Sequence, residues 1–332
     1  MIPCKICGNR TRKYISNLFD DRYGYPKYFD IFFCARCKLY QTHPPLGQEE
    51  IADLYTRYYP REDIDPKKMA ENFRFEQGRF PALGRWLGGN HRIQYELPPA
   101  HKKILEIGCG DGRSLLQLRA LGYDAYGIET DENVGKVRNE LKLAIHIGTI
   151  ENSGFEPKTF DYIIANQLIE HIVNLDSFLE GCKELLKDEG TIIFSTPNAQ
   201  SIYRKLCGKK WINWHIPFHQ QVFTRKSLAL LLLKHGLSIT KIKIVTPTSW
   251  TLHQLHALRN AQVMSIKNPY WNKREVFGPA RTKKNGGMAG KLMRLPKRML
   301  FTAVIAAVTL ANRLIDAARQ GDCLMLSIKK SS

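Results

Sequence analysis

Three groups of residues in this chain have the types and spacing to do chemistry. The first is a pair of Cys-x-x-Cys knuckles, Cys4-Lys-Ile-Cys7 and Cys34-Ala-Arg-Cys37, joined by a segment rich in strand formers, Tyr28-Phe-Asp-Ile-Phe-Phe33. Two such knuckles on a hairpin place four thiolates around one tetrahedral ion, and zinc suits that set. No His or acid stands in for a thiolate, so the expected site is closed and structural. The alternative, four reduced thiols in a small hairpin, leaves a core too short to hold itself together. The second group is Gly108, Gly110 and Gly112, which alternate directly after the apolar run 104–107, with acids at Glu106 and Glu129. The third is His171, His215 and His219, imidazoles suited to taking a proton near neutral pH.

These residues need elements to hold them. The run 104–107 reads as a buried parallel strand, and Leu115, Leu116 and Leu118 then fall at helical spacing. Strand, glycine turn, helix brings bare backbone close to a ligand at the strand's carboxyl end. An acid buried at Glu106 needs a partner, and a ligand-facing role supplies one. Strand and helix signals then alternate, with strands expected at 103–107, 123–128, 143–147, 160–165, 190–195 and 237–245. Helices are expected between them at 113–121, 131–141, 175–187 and 225–235. This pattern implies a mostly parallel sheet with helices on both faces. A dinucleotide fingerprint would place a third glycine at position 113, where this chain has Arg113.

Glu106, the glycine turn and Glu129 ending Tyr126-Gly-Ile-Glu129 resemble motif I and the following acidic position of class I S-adenosylmethionine-dependent methyltransferases. Gly148-Thr-Ile-Glu151, the stretch from Phe160 to His171 and Leu185-Leu-Lys-Asp-Glu-Gly190 continue the resemblance in order. Ile169-Glu-His171, Thr196-Pro-Asn198 and Pro217-Phe-His219 look most like the ubiquinone-biosynthesis O-methyltransferase branch, and they also match zinc-ribbon-bearing methyltransferases of sugar and polysaccharide pathways. The two cysteine knuckles resemble a zinc ribbon. The resemblance implies a Rossmann-like α/β sheet whose last strand is antiparallel. It also implies an S-adenosyl-L-methionine site formed by Glu106, Gly108, Cys109, Gly110, Glu129, Thr130, Ile150, Glu151, Asn166 and Gln167. There the glycine turn passes under the methionine part, Glu106 organises its end, Glu129 accepts from the ribose hydroxyls, and Ile150 faces the adenine.

Methyl transfer from a sulfonium is an in-line displacement, so alignment supplies much of the rate and a base removes the proton of a hydroxyl acceptor. His219 and His171 are the expected catalytic residues, His171 at the end of a strand and His219 on the loop 198–221. Packing at a helix start for His171 and plain exposure for His215 are the alternatives. Trp211, Trp214 and Phe218 on that loop are expected to wall the acceptor. Glu170, His171 and a loop histidine are an alternative cation site, weakened because Gln167 stands where a further carboxylate would serve.

The chain of 332 residues carries 50 Lys and Arg against 31 Asp and Glu, a net charge of +19 that points to an anionic partner. Met1-Ile-Pro-Cys leads straight into the first knuckle, so no secretory signal is expected, and the location is expected to be cytoplasmic, peripheral at the membrane's inner face as an extension. Residues 267–298 hold ten Lys and Arg and one acid, Glu275, ahead of the apolar run 299–311. That run is too short to span a bilayer and is expected as a helix docked on protein or on an anionic membrane surface through 265–315. Tyr270 and Trp271 among these bases leave stacking on RNA as a further use. The division expected is a zinc ribbon at 1–45, a helical connector or lid at 46–97, the catalytic domain at 98–246 with 321–330, and a basic, apolar insertion at 247–320. The function expected is methylation of a small-molecule, glycan or lipid-linked acceptor, at oxygen. An RNA methyltransferase and a non-catalytic binding protein on the same scaffold are the alternatives.

Overall fold

Ile104, Leu105, Ile163, Ile164, Ile192, Phe194, Leu324 and Leu326 are all fully buried, as strands covered on both faces require. The structure is a computed structural model describing residues 2–59, 65–68, 71, 82–97, 100–262, 264–269 and 295–331. Its strands in chain order are β1 (Arg12–Phe19), β2 (Tyr28–Phe33), β3 (Tyr40–His43), β4 (Lys103–Ile107), β5 (Asp124–Glu129) and β6 (Ala144–Ile147). They continue as β7 (Phe160–Asn166), β8 (Leu186–Pro197), β9 (Gln221–Val222), β10 (Leu237–Val245) and β11 (Cys323–Lys330).

Seven strands form the large sheet in the order β10-β11-β8-β7-β4-β5-β6. β4, β5, β6, β7 and β8 run parallel, and β11 is antiparallel to both β8 and β10. This is the Rossmann-like class I methyltransferase sheet with its inserted antiparallel last strand, as the sequence implied. The strand order reverses between β4 and β7, which opens a crevice at their carboxyl ends. Side-chain alternation splits the core. Leu105, Ile163 and Phe194 pack with the helices Leu175–Leu185 and Arg225–Lys234. Ile104, Ile164 and Ile193 pack with Leu115, Leu118, Val134 and Val137 on the opposite face.

Element limits differ from expectation where side chains intervene. The helix at 131–141 starts only at Val134, because the Asp131 carboxylate accepts from the Asn133 backbone N–H at 3.0 Å and holds a turn there. The helix at 175–187 ends at Leu185, and β8 starts at once because Leu186 is buried and pairs with Phe160. The apolar run 299–311 lies within a longer helix, Leu295–Ala317. It docks through buried Asn312 and Arg313, the latter paired with Asp316 at 2.8 Å, while Val304, Leu310 and Leu314 are exposed. Among the described residues no helix is long and apolar enough to cross a membrane. Residues 270–294 of the basic run, with Tyr270, Trp271 and Glu275, lie outside the described residues, as do 72–81 of the connector.

The N-terminal hairpin is not a free appendage. β1, β2 and β3 form a meander whose third strand pairs with β9, Tyr40 opposite Val222 and Gln41 opposite Gln221. Ile6, Cys34, Cys37 and Leu39 share one core with Ile169 and Phe223. The small sheet is thereby welded to the segment carrying His215 and His219.

Candidate active site

The glycine turn is built by backbone. The N–H groups of Gly108 and Cys109 both donate to the Ile128 carbonyl, at 2.8 and 3.1 Å, which ties the end of β4 to β5. Glu129 then gathers three amides: Gly110 N–H reaches one oxygen at 2.8 Å, and Thr130 and Asp131 reach the other at 2.8 and 3.1 Å. Gly110 has φ +54°, and a Cβ built there would meet nothing within 4 Å, so the turn is an open cradle. The Cys109 side chain points inward, where a Cβ on Gly127 would sit 2.6 Å from its sulfur. Only the Cys109 backbone faces the cradle.

Beneath the cradle Glu106 is fully buried, and burial pushes its carboxyl up to about 7. Ser114 donates to one oxygen and Asn166 Nδ2 to the other at 3.0 Å. Asn166 Oδ1 in turn accepts from the Ile93 N–H at 3.0 Å, so its amide ties three segments together. Ile150 is buried against Gly181, and exposed Glu151 accepts from Ser177 at 2.8 Å. Gln167 turns the other way, at φ +50°, and donates to Ser195 Oγ at 3.0 Å and to the Cys323 sulfur at 3.3 Å. It lines the second half of the site.

That half is a cavity of about 220 Å³ bounded by Arg22, Tyr59, Gln167, Glu170, His171, Asn213, His215, His219, Trp250 and His253. His171 and His219 lie 4.7 Å apart by ring centroid, and His215 lies 4.9 Å from His219. The reading of His215 as exposed is corrected: it is buried and stacks on Phe218 at 4.9 Å. His219 Nδ1 is 2.8 Å from the Asn213 carbonyl. A carbonyl only accepts, so Nδ1 carries the proton and Nε2 keeps a bare lone pair. His171 Nδ1 meets the Tyr55 hydroxyl at 3.0 Å. Burial holds the His219 imidazole neutral, with its pKa well below the ordinary value, and takes His171 down to about 4. The Thr42 hydroxyl of β3 donates to the His219 carbonyl at 2.6 Å, and the Thr42 N–H to that of Gln220 at 3.0 Å. The zinc-type hairpin thus sets the height of the histidine loop.

Both Glu170 carboxyl oxygens are buried without a hydrogen-bond partner among the described residues. Burial pushes this acid up to about 8. Ligand atoms of Glu170, His171 and His219 lie within 4.8 Å of one another. An orphaned buried carboxyl is relieved by a proton or a cation, and this set fits a divalent ion. Trp211 and Trp214 do not line the cavity. Their indole N–H groups donate to Asp322 and to the Gly208 carbonyl, both at 2.9 Å, and so brace the loop from behind. The wall comes instead from Tyr59 and Trp250, which sequence reasoning did not single out.

At the hairpin's far end the four cysteine sulfurs also lie within 4.8 Å of one another, with Cys4 to Cys37 at 3.4 Å and Cys7 to Cys34 at 3.5 Å. These separations are far beyond a disulfide bond and suit ligands of a shared ion. Gly8 and Lys38 occupy equivalent turns at φ +68° and +65°, each N–H returning to the first cysteine of its knuckle. Lys38 takes the glycine conformation without being glycine.

A family model described as a methyltransferase domain matches residues 75–242, just over half of the chain. The mitochondrial ubiquinone biosynthesis O-methyltransferase of Homo sapiens is 30% identical over 110 residues, 30% of this chain and 30% of that protein. The ubiquinone biosynthesis O-methyltransferase of Cereibacter sphaeroides is 28% identical over 169 residues, 47% of this chain and 68% of that protein. The chain spans about a third of the length of the mammalian relatives it matches. Among solved structures, phosphoethanolamine N-methyltransferase 2 of Haemonchus contortus, in complex with S-adenosyl-L-methionine, aligns at a TM-score of 0.47 and 14% identity, over 88% of this chain and 62% of that one.

Proposed function

The chain belongs to the methyltransferase domain family, and from that premise we propose that it methylates a hydroxyl of a small-molecule acceptor with S-adenosyl-L-methionine as donor. The observation that carries this reading is the bare Nε2 of His219, which lines a half-closed cavity at the carboxyl end of the sheet beside the open glycine cradle. When bound, the donor supplies an electrophilic methyl on a sulfonium. Gly110 leaves room for it beside the Gly108 backbone, Glu129 offers its remaining lone pairs to the ribose hydroxyls, and Glu106 with Asn166 holds the floor of the cradle. Thr130, Ile150 and Glu151 complete the donor side in this reading.

His219 takes the acceptor's hydroxyl proton at Nε2 as the oxygen receives the methyl group. Its own N–H, fixed on the Asn213 carbonyl, keeps that lone pair aimed at the acceptor, and the resulting imidazolium is stabilised by the same hydrogen bond. His171, anchored by Tyr55, orders the acceptor from the side. In the alternative in which Glu170, His171 and His219 hold a divalent ion, Nε2 of His219 would be a ligand rather than the base, and the ion would supply a Lewis acid for the acceptor oxygen. Cys4, Cys7, Cys34 and Cys37 would hold zinc, which would fix the hairpin that carries Thr42.

The test is incubation of the full-length protein and labelled donor with a cell lysate, split afterwards into small-molecule, lipid, RNA and protein fractions. Label in an alkali-stable ether of a small molecule is the expected result. Label confined to RNA or protein would replace this reading with a macromolecular acceptor.

A further inference from the structure

The turn between β1 and β2 carries Arg22 into the acceptor cavity, and the proton transfer derived above does not use it. The turn is made rigid by Asp20, a fully buried carboxylate that accepts from the backbone N–H groups of Arg22 and Tyr23 at 3.0 Å and of Tyr25 at 3.1 Å. The guanidinium donates to the Ile212 carbonyl at 2.6 Å, which pins its head beside the histidine loop, and it also interacts with the Tyr23 hydroxyl, so that part of its five N–H donors stays free. Among the described residues it forms no ion pair. Asp21, its neighbour in sequence, lines the same cavity, and the Arg22 charge offsets part of the burial that raises its carboxyl. A permanent cation with idle donors, held in a half-closed aromatic cavity, is a fork shaped for a carboxylate or phosphate.

We propose that the acceptor carries an anionic group, a carboxylate or a phosphate, and that Arg22 of the N-terminal hairpin pairs with it and thereby selects which acceptors enter. This rests on the methyl-transfer reading above. Arg22 is a specificity residue supplied from outside the segment matched by the family model, which begins at residue 75. The same methyltransferase domain without this hairpin would lack the selection.

The experiment titrates benzoate, phenyl phosphate and phenol into the full-length, zinc-loaded protein saturated with S-adenosylhomocysteine, with affinities read by ligand-observed NMR. At least one anion should bind about tenfold more tightly than phenol, the strength of one charge-assisted contact, and the better anion identifies the group. R22A should abolish that advantage, R22K should restore part of it, and neither should change the affinity for phenol or for S-adenosylhomocysteine. Anions that bind wild-type protein no better than phenol, or an advantage that survives R22A, would overturn the inference. Because binding is read without turnover, an Arg22-dependent preference with no methyl transfer to any hydroxyl would sink the proposed reaction and leave the anion site standing.

Discussion

Two regions meet at the carboxyl end of the large sheet, and they are assembled from different distances along the chain. The donor cradle is local. Gly110 and Glu129, its main hydrogen-bonded pair, are 19 residues apart, and Glu106 and Ser114 only eight. The acceptor cavity is not local at all. Tyr55 reaches His171 over 116 residues, Thr42 reaches His219 over 177, and Arg22 reaches Ile212 over 190. A cradle of backbone amides and glycines asks little of the side chains. The cavity depends on side chains brought in by the hairpin, which lies outside the family match, and it is there that we propose acceptor choice to reside.

If that contrast holds, damage to the hairpin should separate the two halves. Stripping zinc with a chelator, or C34S, should abolish methyl transfer while calorimetry with S-adenosylhomocysteine shows donor affinity within about twofold. Equal loss of both would mean that the regions fold as one. H219A should lower kcat by about 10² to 10⁴ with donor affinity unchanged, the range for removing a general base. E129A should act in the opposite sense and weaken donor binding by about 2 kcal/mol, roughly thirtyfold, with little change in the acceptor's KM. T42V removes one hydrogen bond under the His219 carbonyl and should cost about 1 kcal/mol, roughly fivefold in kcat, without moving donor affinity.

The smallest expected effect is one of pH. Burial pushes the Asp322 carboxyl up from its ordinary 3.8 to about 7, although Trp211 and Asn213 each donate to it at 2.9 Å. Between those two values the native state holds a proton that the unfolded chain has lost. Stability contributed by this group is therefore present below the ordinary value, declines as pH rises to about 7 and is level above. D322N should flatten that part of the melting-temperature profile. It should also cost about 1 kcal/mol at pH 5, because an amide nitrogen cannot accept from one of the two donors. An unchanged slope would place the titration elsewhere.

What could be read from the sequence follows the same divide. The apolar runs, the glycine turn and the alternation of strands and helices are periodic or contiguous, so the sheet, including the distant strand β11, was legible to within a few residues. The four cysteines and the paired histidines 171 and 219 announced themselves by type and spacing. Arg22, Tyr59, Trp250 and His253 did not, since nothing near them in sequence marks them, and it takes tertiary contacts such as the β3–β9 pairing to bring the hairpin to the cavity. Trp211 and Trp214 misled for a related reason: large aromatics on a site-bearing loop brace it as readily as they line it. Asn166 and Gln167 are neighbours in sequence, yet the left-handed backbone at Gln167 sends their side chains to opposite halves of the site.

The bond from Thr42 to the backbone of His219 also says something about time. Closing a loop of that length costs about 5 kcal/mol of chain entropy beyond a constant, and two paired residues on a short strand cannot repay it alone. The closure must wait until the large sheet has already brought its ends together. Refolding should therefore pass through a species that binds S-adenosylhomocysteine before it binds any acceptor.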